Sequence, residues 1–250
     1  MLSVTHTFTA PPFIQRAQGG FLRAFPALRF CLAEFDRQAF RPADFLLAEI
    51  PFPPPLRAAA AKRQAEYLAG RYCAAMLLQQ AGVAASALPF SRSAPLWPAG
   101  WRGSISHTDD RAIAVLAPVS SGLAPGIDIE NARPEAMPEL APLFAAPAER
   151  AVIGASALAD EQGLLALFSA KESLYKALWP QVQQFFGFDA AALIAIDTRR
   201  ATLSLQLTRS LAPTLPRGAI FTARYQLDAR GVIVALCAAL TAASPPPTRQ

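Results

Sequence analysis

Cysteine, histidine and lysine are all scarce in this chain of 250 residues, and each shortage removes a class of function. Cys31, Cys73 and Cys237 are far apart and odd in number, so neither a disulfide framework nor a thiolate metal cluster is indicated. Each reads as a small buried hydrophobe. Of the two histidines, His6 lies in a polar N-terminal stretch, which leaves His107 with no second histidine to serve as a base in serine hydrolysis. No stretch of about 20 uninterrupted apolar residues occurs, and no arginine-rich start leads into an apolar run and cleavage site. The expectation is a cytoplasmic protein without a membrane partner. Basic residues number 23 against 18 acidic ones, but they are scattered and show no basic run or basic-aromatic repeat that would track a nucleic acid. The net charge of +5 favours an acidic partner or a polyphosphate instead. Charged residues make up 16% and apolar ones 53%, far from compositions that stay unfolded. The length allows one large core or two smaller ones joined across an interface.

Apolar periodicity and breakers divide the chain. Pro51-Phe52-Pro53-Pro54-Pro55 reads as a rigid lead-in to a helix over Leu56 to Gln80, with Gly82 as its stop. After a loop from Ser91 to Gly103, two short strands, Gly103–His107 and Arg111–Leu116, flank a Thr108-Asp109-Asp110 turn. A second module is expected from about residue 120, opening with the alternating Gly126-Ile127-Asp128-Ile129-Glu130. Helices follow near Ala146–Ala157 and Asp160–Leu178, the latter stopped by Pro180. Strands return over Ala201–Leu207 and Ile220–Leu240, with Asp228-Ala229-Arg230-Gly231 as a reversal. The reading is α/β (α+β): subdomains at 1–119 and 120–241, each of helix and antiparallel sheet, and a proline-rich, solvated tail at 242–250.

Three carboxylates need an explanation. A side-chain period of two puts Asp128 and Glu130 on one face of their strand, Cα atoms about 7 Å apart, with Ile127 and Ile129 on the other. A half-buried edge strand with a charged outer face would look the same. Glu172 falls inside a helical stripe of Leu165, Phe168, Tyr175 and Trp179, where an uncompensated charge is costly. Lys176, one turn on, could compensate it, and a divalent cation shared with Asp128 and Glu130 would do so more completely. A capping box of Ser169 and Glu172 would need a helix start at Ser169, inside a segment that already reads as helical. Three oxygen donors without histidine or cysteine suit a hard cation such as Mg²⁺, completed by substrate phosphates. His107, flanked by Ser106 and Thr108, fits a phosphate clamp or a satisfied structural histidine.

Gly126-Ile127-Asp128-Ile129-Glu130, followed by Phe168-Ser169-Ala170-Lys171-Glu172-Ser173-Leu174-Tyr175-Lys176, resembles the paired motifs of the 4′-phosphopantetheinyl transferases. The similarity is to the siderophore-synthase component D-like group of the Sfp-type branch. Lys62-Arg63-Gln64-Ala65-Glu66-Tyr67-Leu68-Ala69-Gly70-Arg71 and Trp97-Pro98-Ala99-Gly100-Trp101-Arg102-Gly103-Ser104-Ile105-Ser106-His107 look like the group's N-terminal signatures. The resemblance implies a monomer of two pseudo-symmetric subdomains, with coenzyme A as substrate in the cleft between them and Mg²⁺ on its pyrophosphate. It places Asp128, Glu130 and Glu172 at metal positions, and Arg63, Arg71, His107 and Lys176 at or beside phosphate positions. Glu149 or Glu172 would take the proton of the attacking serine, with Lys176 assisting catalysis. The implied partner is an apo acyl- or peptidyl-carrier protein, with siderophore synthesis one destination. A magnesium-dependent pyrophosphate or nucleotide hydrolase would carry the same carboxylates; a non-catalytic protein that binds coenzyme A or a carrier is the other alternative, and it would have no need of the three.

Overall fold

A computed structural model of the chain describes residues 1–83, 88–89, 94–132 and 135–239; the expected tail at 242–250 lies outside them. The first lobe opens with a meander of β1 (Leu2–Ala10), β2 (Ile14–Leu22) and β3 (Phe25–Phe35). Short helices α1 (Asp44–Leu47) and α2 (Pro54–Arg57) lead to the long α3 (Ala61–Gln80), and a hairpin of β4 (Trp101–His107) and β5 (Arg111–Pro118) closes the lobe. The helix expected from Leu56 is thus interrupted. Buried Gln64 accounts for the break, its side-chain amide donating to the carbonyls of Leu56, Arg57 and Ala59 at 3.2, 3.2 and 2.9 Å. Pro54 and Pro55, expected outside any helix, open α2, where a missing N–H leaves no intrahelical bond unmade.

The second lobe contains β6 (Leu123–Asn131), α4 (Met137–Leu140), α5 (Pro147–Gly154) and α6 (Asp160–Val182). A second meander follows: β7 (Ala191–Asp197), β8 (Thr202–Leu207), β9 (Ile220–Asp228) and β10 (Gly231–Ala239). Pro180 does not stop α6. So near the C-terminus it forfeits a single backbone bond, and the helix ends instead where Gln183 turns left-handed at φ 52°.

Each lobe is a five-stranded antiparallel sheet carrying one long helix, ordered β1-β2-β3-β5-β4 and β6-β10-β9-β8-β7. In both, a strand precedes the helix and a later strand returns antiparallel beside it: β3, α3 and β5 in one, β6, α6 and β10 in the other. Strand alternation decides what each face meets. In β5, Ala112, Ala114 and Leu116 join the core under α3, while Ile113, Val115 and Ala117 point the other way. In β10, Val232, Val234 and Leu236 pack with α6 residues, while Ile233 and Ala235 point away. The faces turned from the helices meet in one apolar core with Ile127 and Ile129 of β6, which joins the lobes. Trp97 and Trp101 pack against the first lobe's core, giving that loop a structural role.

The sheet edges β4 and β6 run side by side, and Ser104 Oγ accepts the Ile127 N–H at 3.1 Å across the seam. Gly126 lets α6 reach β6. A Cβ there would stand 1.9 Å from the Ser173 carbonyl oxygen, so any side chain would push the helix away. The start of α3, the end of β4, the charged half of β6 and the middle of α6 are thereby gathered at one place.

Candidate active site

Asp128 is the hub of that place. It is 2% exposed and on the face of β6 turned toward α6. Its Oδ1 accepts from Lys176 Nζ at 2.6 Å and Ser106 Oγ at 2.7 Å, and its Oδ2 accepts from Ser169 Oγ at 2.7 Å. Lys176 Nζ also donates to Ser106 Oγ and to the Ile127 carbonyl at 3.0 and 3.2 Å. The carboxylate is therefore held from both lobes and from α6. Ser169 lies mid-helix and spends its hydroxyl on Asp128, which removes the capping-box alternative.

Glu172 stands one turn before Lys176. Burial pushes its carboxyl above the usual range; Lys176 opposes the shift and the Asp128 charge adds to it. Two carboxylates within electrostatic reach share one lysine, so the site holds more negative charge than its own cations neutralise. The stripe containing Glu172 lies only partly in the deep core that its spacing predicts, with Leu165 buried there. Leu164, Leu167, Leu174 and Leu178 fill the core, while Phe168 and Tyr175 are half-buried around the cleft.

His107 sits at the mouth of the first lobe, with Arg63 Nη1 donating to its Nε2 at 2.9 Å. That bond leaves the ring proton on Nδ1, which faces Glu66 Oε2 at 3.9 Å. Burial, then the charges of Arg63 and Lys176, pull the imidazole down to about 4, against a smaller opposing pull from Asp128. At neutral pH it is uncharged. Glu66 is 7% exposed and within 4 Å of Lys62 and Arg63 as well, at 3.7 and 3.9 Å. Sequence reasoning gave it no role, although it stands three residues after Arg63, on the same side of α3.

Two cavities flank the cluster and share Phe188 as a wall. One, of about 390 Å³, is lined by Glu66, His107, Asp109 and Glu130, with Phe144 and Phe168 opposite. The other, of about 300 Å³, lies on the far side of Phe188 and is lined by Glu172, Tyr175, Phe185 and Phe186.

Two expected site residues lie elsewhere. Arg71 is buried two helical turns beyond Arg63, stacked over the Tyr67 ring at 5.0 Å and donating to the Leu88 carbonyl at 3.2 Å. It lines a separate cavity of about 360 Å³ with Phe52 and Tyr67. Glu149, expected near an incoming hydroxyl, is 3% exposed, and both its oxygens are engaged. Oε1 accepts from Leu193 N–H at 2.8 Å and Oε2 from Ala146 N–H at 2.8 Å, and Lys171 Nζ lies 2.8 and 3.0 Å from the two. Burial lowers the Lys171 ammonium, and this carboxylate opposes the shift. Glu149 thus caps α5 and fastens α6 to β7, which leaves it no free lone pair facing the cleft.

Among the described residues no three metal-ligating side chains stand close enough together to hold an ion. Lys176 occupies the acceptor side of Asp128 where a cation would bind. The donor chemistry nevertheless suits a hard divalent ion: carboxylates alone, with surplus negative charge.

Two family models cover this architecture. Residues 52–117 match the 4′-phosphopantetheinyl transferase N-terminal domain, and residues 124–237 match the 4′-phosphopantetheinyl transferase superfamily. Enterobactin synthase component D of Salmonella typhimurium is 35% identical over 87% of this chain and 88% of its own length. This chain belongs to the 4′-phosphopantetheinyl transferase superfamily. Within it, the chain groups with the component D-like branch: the Salmonella typhi protein of the same description is also 35% identical, over 87% of this chain and 88% of its own. A 4′-phosphopantetheinyl transferase of Nocardia iowensis is 35% identical over 52% of this chain and 58% of its own. A phosphopantetheinyl transferase-type reaction follows from this membership.

Proposed function

We propose that this transferase moves the 4′-phosphopantetheine group of coenzyme A onto a serine hydroxyl of an apo acyl- or peptidyl-carrier protein, with magnesium. The observation that carries the reading is the meeting of Asp128, Glu172 and Lys176 from one lobe with His107 and Arg63 from the other. Coenzyme A bears anionic charge at its diphosphate and at its ribose 3′-phosphate. Arg63, Tyr67 and Arg71 lie at i, i+4 and i+8 on α3, a ladder of about 12 Å that offers a guanidinium at each end and a ring between. Arg63 would meet the diphosphate end with His107, and Arg71, in its aromatic cavity, the adenosine end.

Asp128, Glu130 and Glu172 would be the residues to hold Mg²⁺, and Lys176 would serve a phosphate oxygen. The ion would neutralise diphosphate charge and ease departure of the leaving group. The serine oxygen attacks the phosphorus that carries the pantetheine arm, and the bond from that phosphorus to the bridging oxygen breaks. Adenosine 3′,5′-bisphosphate leaves with the electron pair. Glu172, which lines the cleft, is the better placed base for the serine proton, since Glu149 is committed to Lys171. Lys176 and Arg63 stabilise the charge developing on the leaving phosphate. The apolar cavity beside Glu172 would take the pantetheine arm. Both halves of the site come from one chain, which supports a monomer as the working unit. No helix among the described residues is long and apolar enough to cross a membrane. Coenzyme A is an intracellular metabolite, so the cytoplasm is where the reaction would run. The kinship with enterobactin synthase component D supports a siderophore synthetase carrier as recipient.

Incubation with Mg²⁺, coenzyme A and a panel of apo-carrier domains, followed by intact-mass analysis, tests the reading. A carrier that gains the arm supports it, whereas diphosphate cleavage with unmodified carriers would assign a hydrolase. His107→Ala is expected to raise KM for coenzyme A more than it lowers kcat, as for a phosphate contact. A collapse in kcat at unchanged KM would assign His107 to proton transfer. His107 also ties stability to acidity. Its folded value near 4 lies below the ordinary 6.5 of an imidazole, so the unfolded chain binds the extra proton between them. Its contribution to stability is present above pH 6.5 and lost as the pH falls toward 4, and denaturation midpoints of His107→Gln should fall less steeply across that window.

A further inference from the structure

Arg111 begins β5 on the face turned toward the second lobe and is 3% exposed. A guanidinium so placed ordinarily meets a carboxylate directly. Its Nη2 donates instead to three acceptors of the second lobe: the Asn131 side-chain oxygen at 2.8 Å, the Arg230 carbonyl at 3.1 Å and the Glu130 carbonyl at 3.4 Å. Its Nε meets no acceptor among the described residues. The nearby carboxylates are engaged by other groups. Asp110 accepts from Asn131 Nδ2 at 3.2 Å, Thr108 Oγ1 at 3.0 Å and Arg230 Nη2 at 2.8 Å, and Glu34 pairs with Arg230 at 3.1 Å.

A buried charge held this way is a poor source of stability, since an apolar side chain of similar length forgoes its desolvation cost. What it supplies is placement. The β4–β5 turn has His107 at one end and Arg111 at the other, and Arg111 ties that turn to the last two residues of β6, Glu130 and Asn131. Asn131 in turn binds Asp110 within the turn itself, so the tie is double.

We propose that Arg111 is a positioning residue for the transfer: it fixes the Glu130 end of β6 against the turn that carries His107, and so sets the carboxylate side of the cleft against the phosphate-binding side. This rests on the transferase reading and on Glu130 as a metal ligand in it. Residues that orient metal ligands change metal affinity by about 10- to 100-fold when replaced.

The test compares the full-length chain with Arg111→Met by thermal melting, by Mn²⁺ affinity in the presence of coenzyme A measured from the electron paramagnetic resonance of free Mn²⁺, and by carrier loading against Mg²⁺ concentration. Arg111→Met should melt at or above the wild-type temperature. It should bind Mn²⁺ about 10-fold more weakly and need correspondingly more Mg²⁺ for half-maximal loading. Arg111→Lys should not restore the affinity, because one ammonium cannot reproduce the planar fork of donors. Should Arg111→Met fail to fold, Asn131→Ala removes the other half of the tie at a less buried position, and a weakening in the same direction is expected. Unchanged Mn²⁺ affinity in the folded variants overturns the proposal, as does a loss of affinity that only tracks a loss of melting temperature. A wild-type chain that loads no carrier overturns the transferase reading and this proposal with it; a wild type that loads, beside variants of unchanged affinity, overturns the proposal alone.

Discussion

Asp128→Ala is expected to lose transfer by a factor on the order of 10²–10³, the scale of removing one electrostatic contact to the developing charge. The same substitution should also weaken the fold, which sequence alone does not foretell, since the side chain is small and removes little packing. In the structure it is the common acceptor for Lys176, Ser106 and Ser169. Without it, the Lys176 ammonium, 25% exposed, loses its hydrogen-bonded counter-ion and keeps only the more distant charge of Glu172, and two buried hydroxyls lose their acceptor. Removing one partner of a buried pair costs about 3 kcal/mol or more. Asp128→Asn separates the two effects. Its amide oxygen can still accept from Ser106, and its NH₂ can donate to Ser169, whose hydroxyl rotates to accept. It should therefore unfold at a denaturant concentration closer to wild type, yet transfer as poorly as the alanine variant, because the charge is gone. Wild-type rates in folded Asp128→Asn would remove Asp128 from the reaction.

The strand bearing Asp128 is legible in the sequence because one face is apolar and the other charged. β3 is not. Leu28 and Phe30 face the inter-lobe core while Cys31, Ala33 and Phe35 belong to the core under α3. A strand buried on both faces shows no alternation. In β2, Gly19-Gly20 has the appearance of a turn, but Gly20 is small because β1 passes close by: a Cβ would stand 1.9 Å from the Ser3 carbonyl oxygen. The first lobe's sheet is thus set by contacts across the meander that no local pattern displays. The site divides in the same way. Asp128, Glu172, Lys176, Arg63 and His107 stand in recognisable motifs, and the structure brings them together. Glu149 also has a plausible place in sequence, yet what decides its role is Lys171, 22 residues away and buried beside it. Ser106 and Ser169 stand in the sequence without their role for the opposite reason: a serine carries no signal until its hydroxyl is seen against a carboxylate.

Glu172→Gln should separate activity from stability in the opposite sense to Asp128→Ala. The carboxyl is raised above its ordinary value chiefly by burial, with the Asp128 charge adding and Lys176 opposing. The folded chain therefore binds a proton more readily here than the unfolded chain does, and stability falls as the pH rises from the unfolded value of 4.5 through the folded one. Above that window the ionised carboxylate is a standing cost to the metal-free protein. Glutamine keeps the shape and the half-buried packing beside Tyr175, and carries no charge. The metal-free variant should melt at or above the wild-type temperature at pH 7, and the difference should disappear as the pH falls below 4.5, where the wild-type carboxyl is protonated too. Transfer should drop by about 10²-fold or more, because the amide neither takes the serine proton nor offers an anionic oxygen to a cation. Saturating Mg²⁺ and coenzyme A should then reverse the order of stability, since a ligand stabilises the form that binds it better. A melting temperature that falls in the metal-free variant at pH 7 would mean that Lys176 already compensates Glu172 in full, and the case for a cation at this carboxylate would rest on the reaction alone.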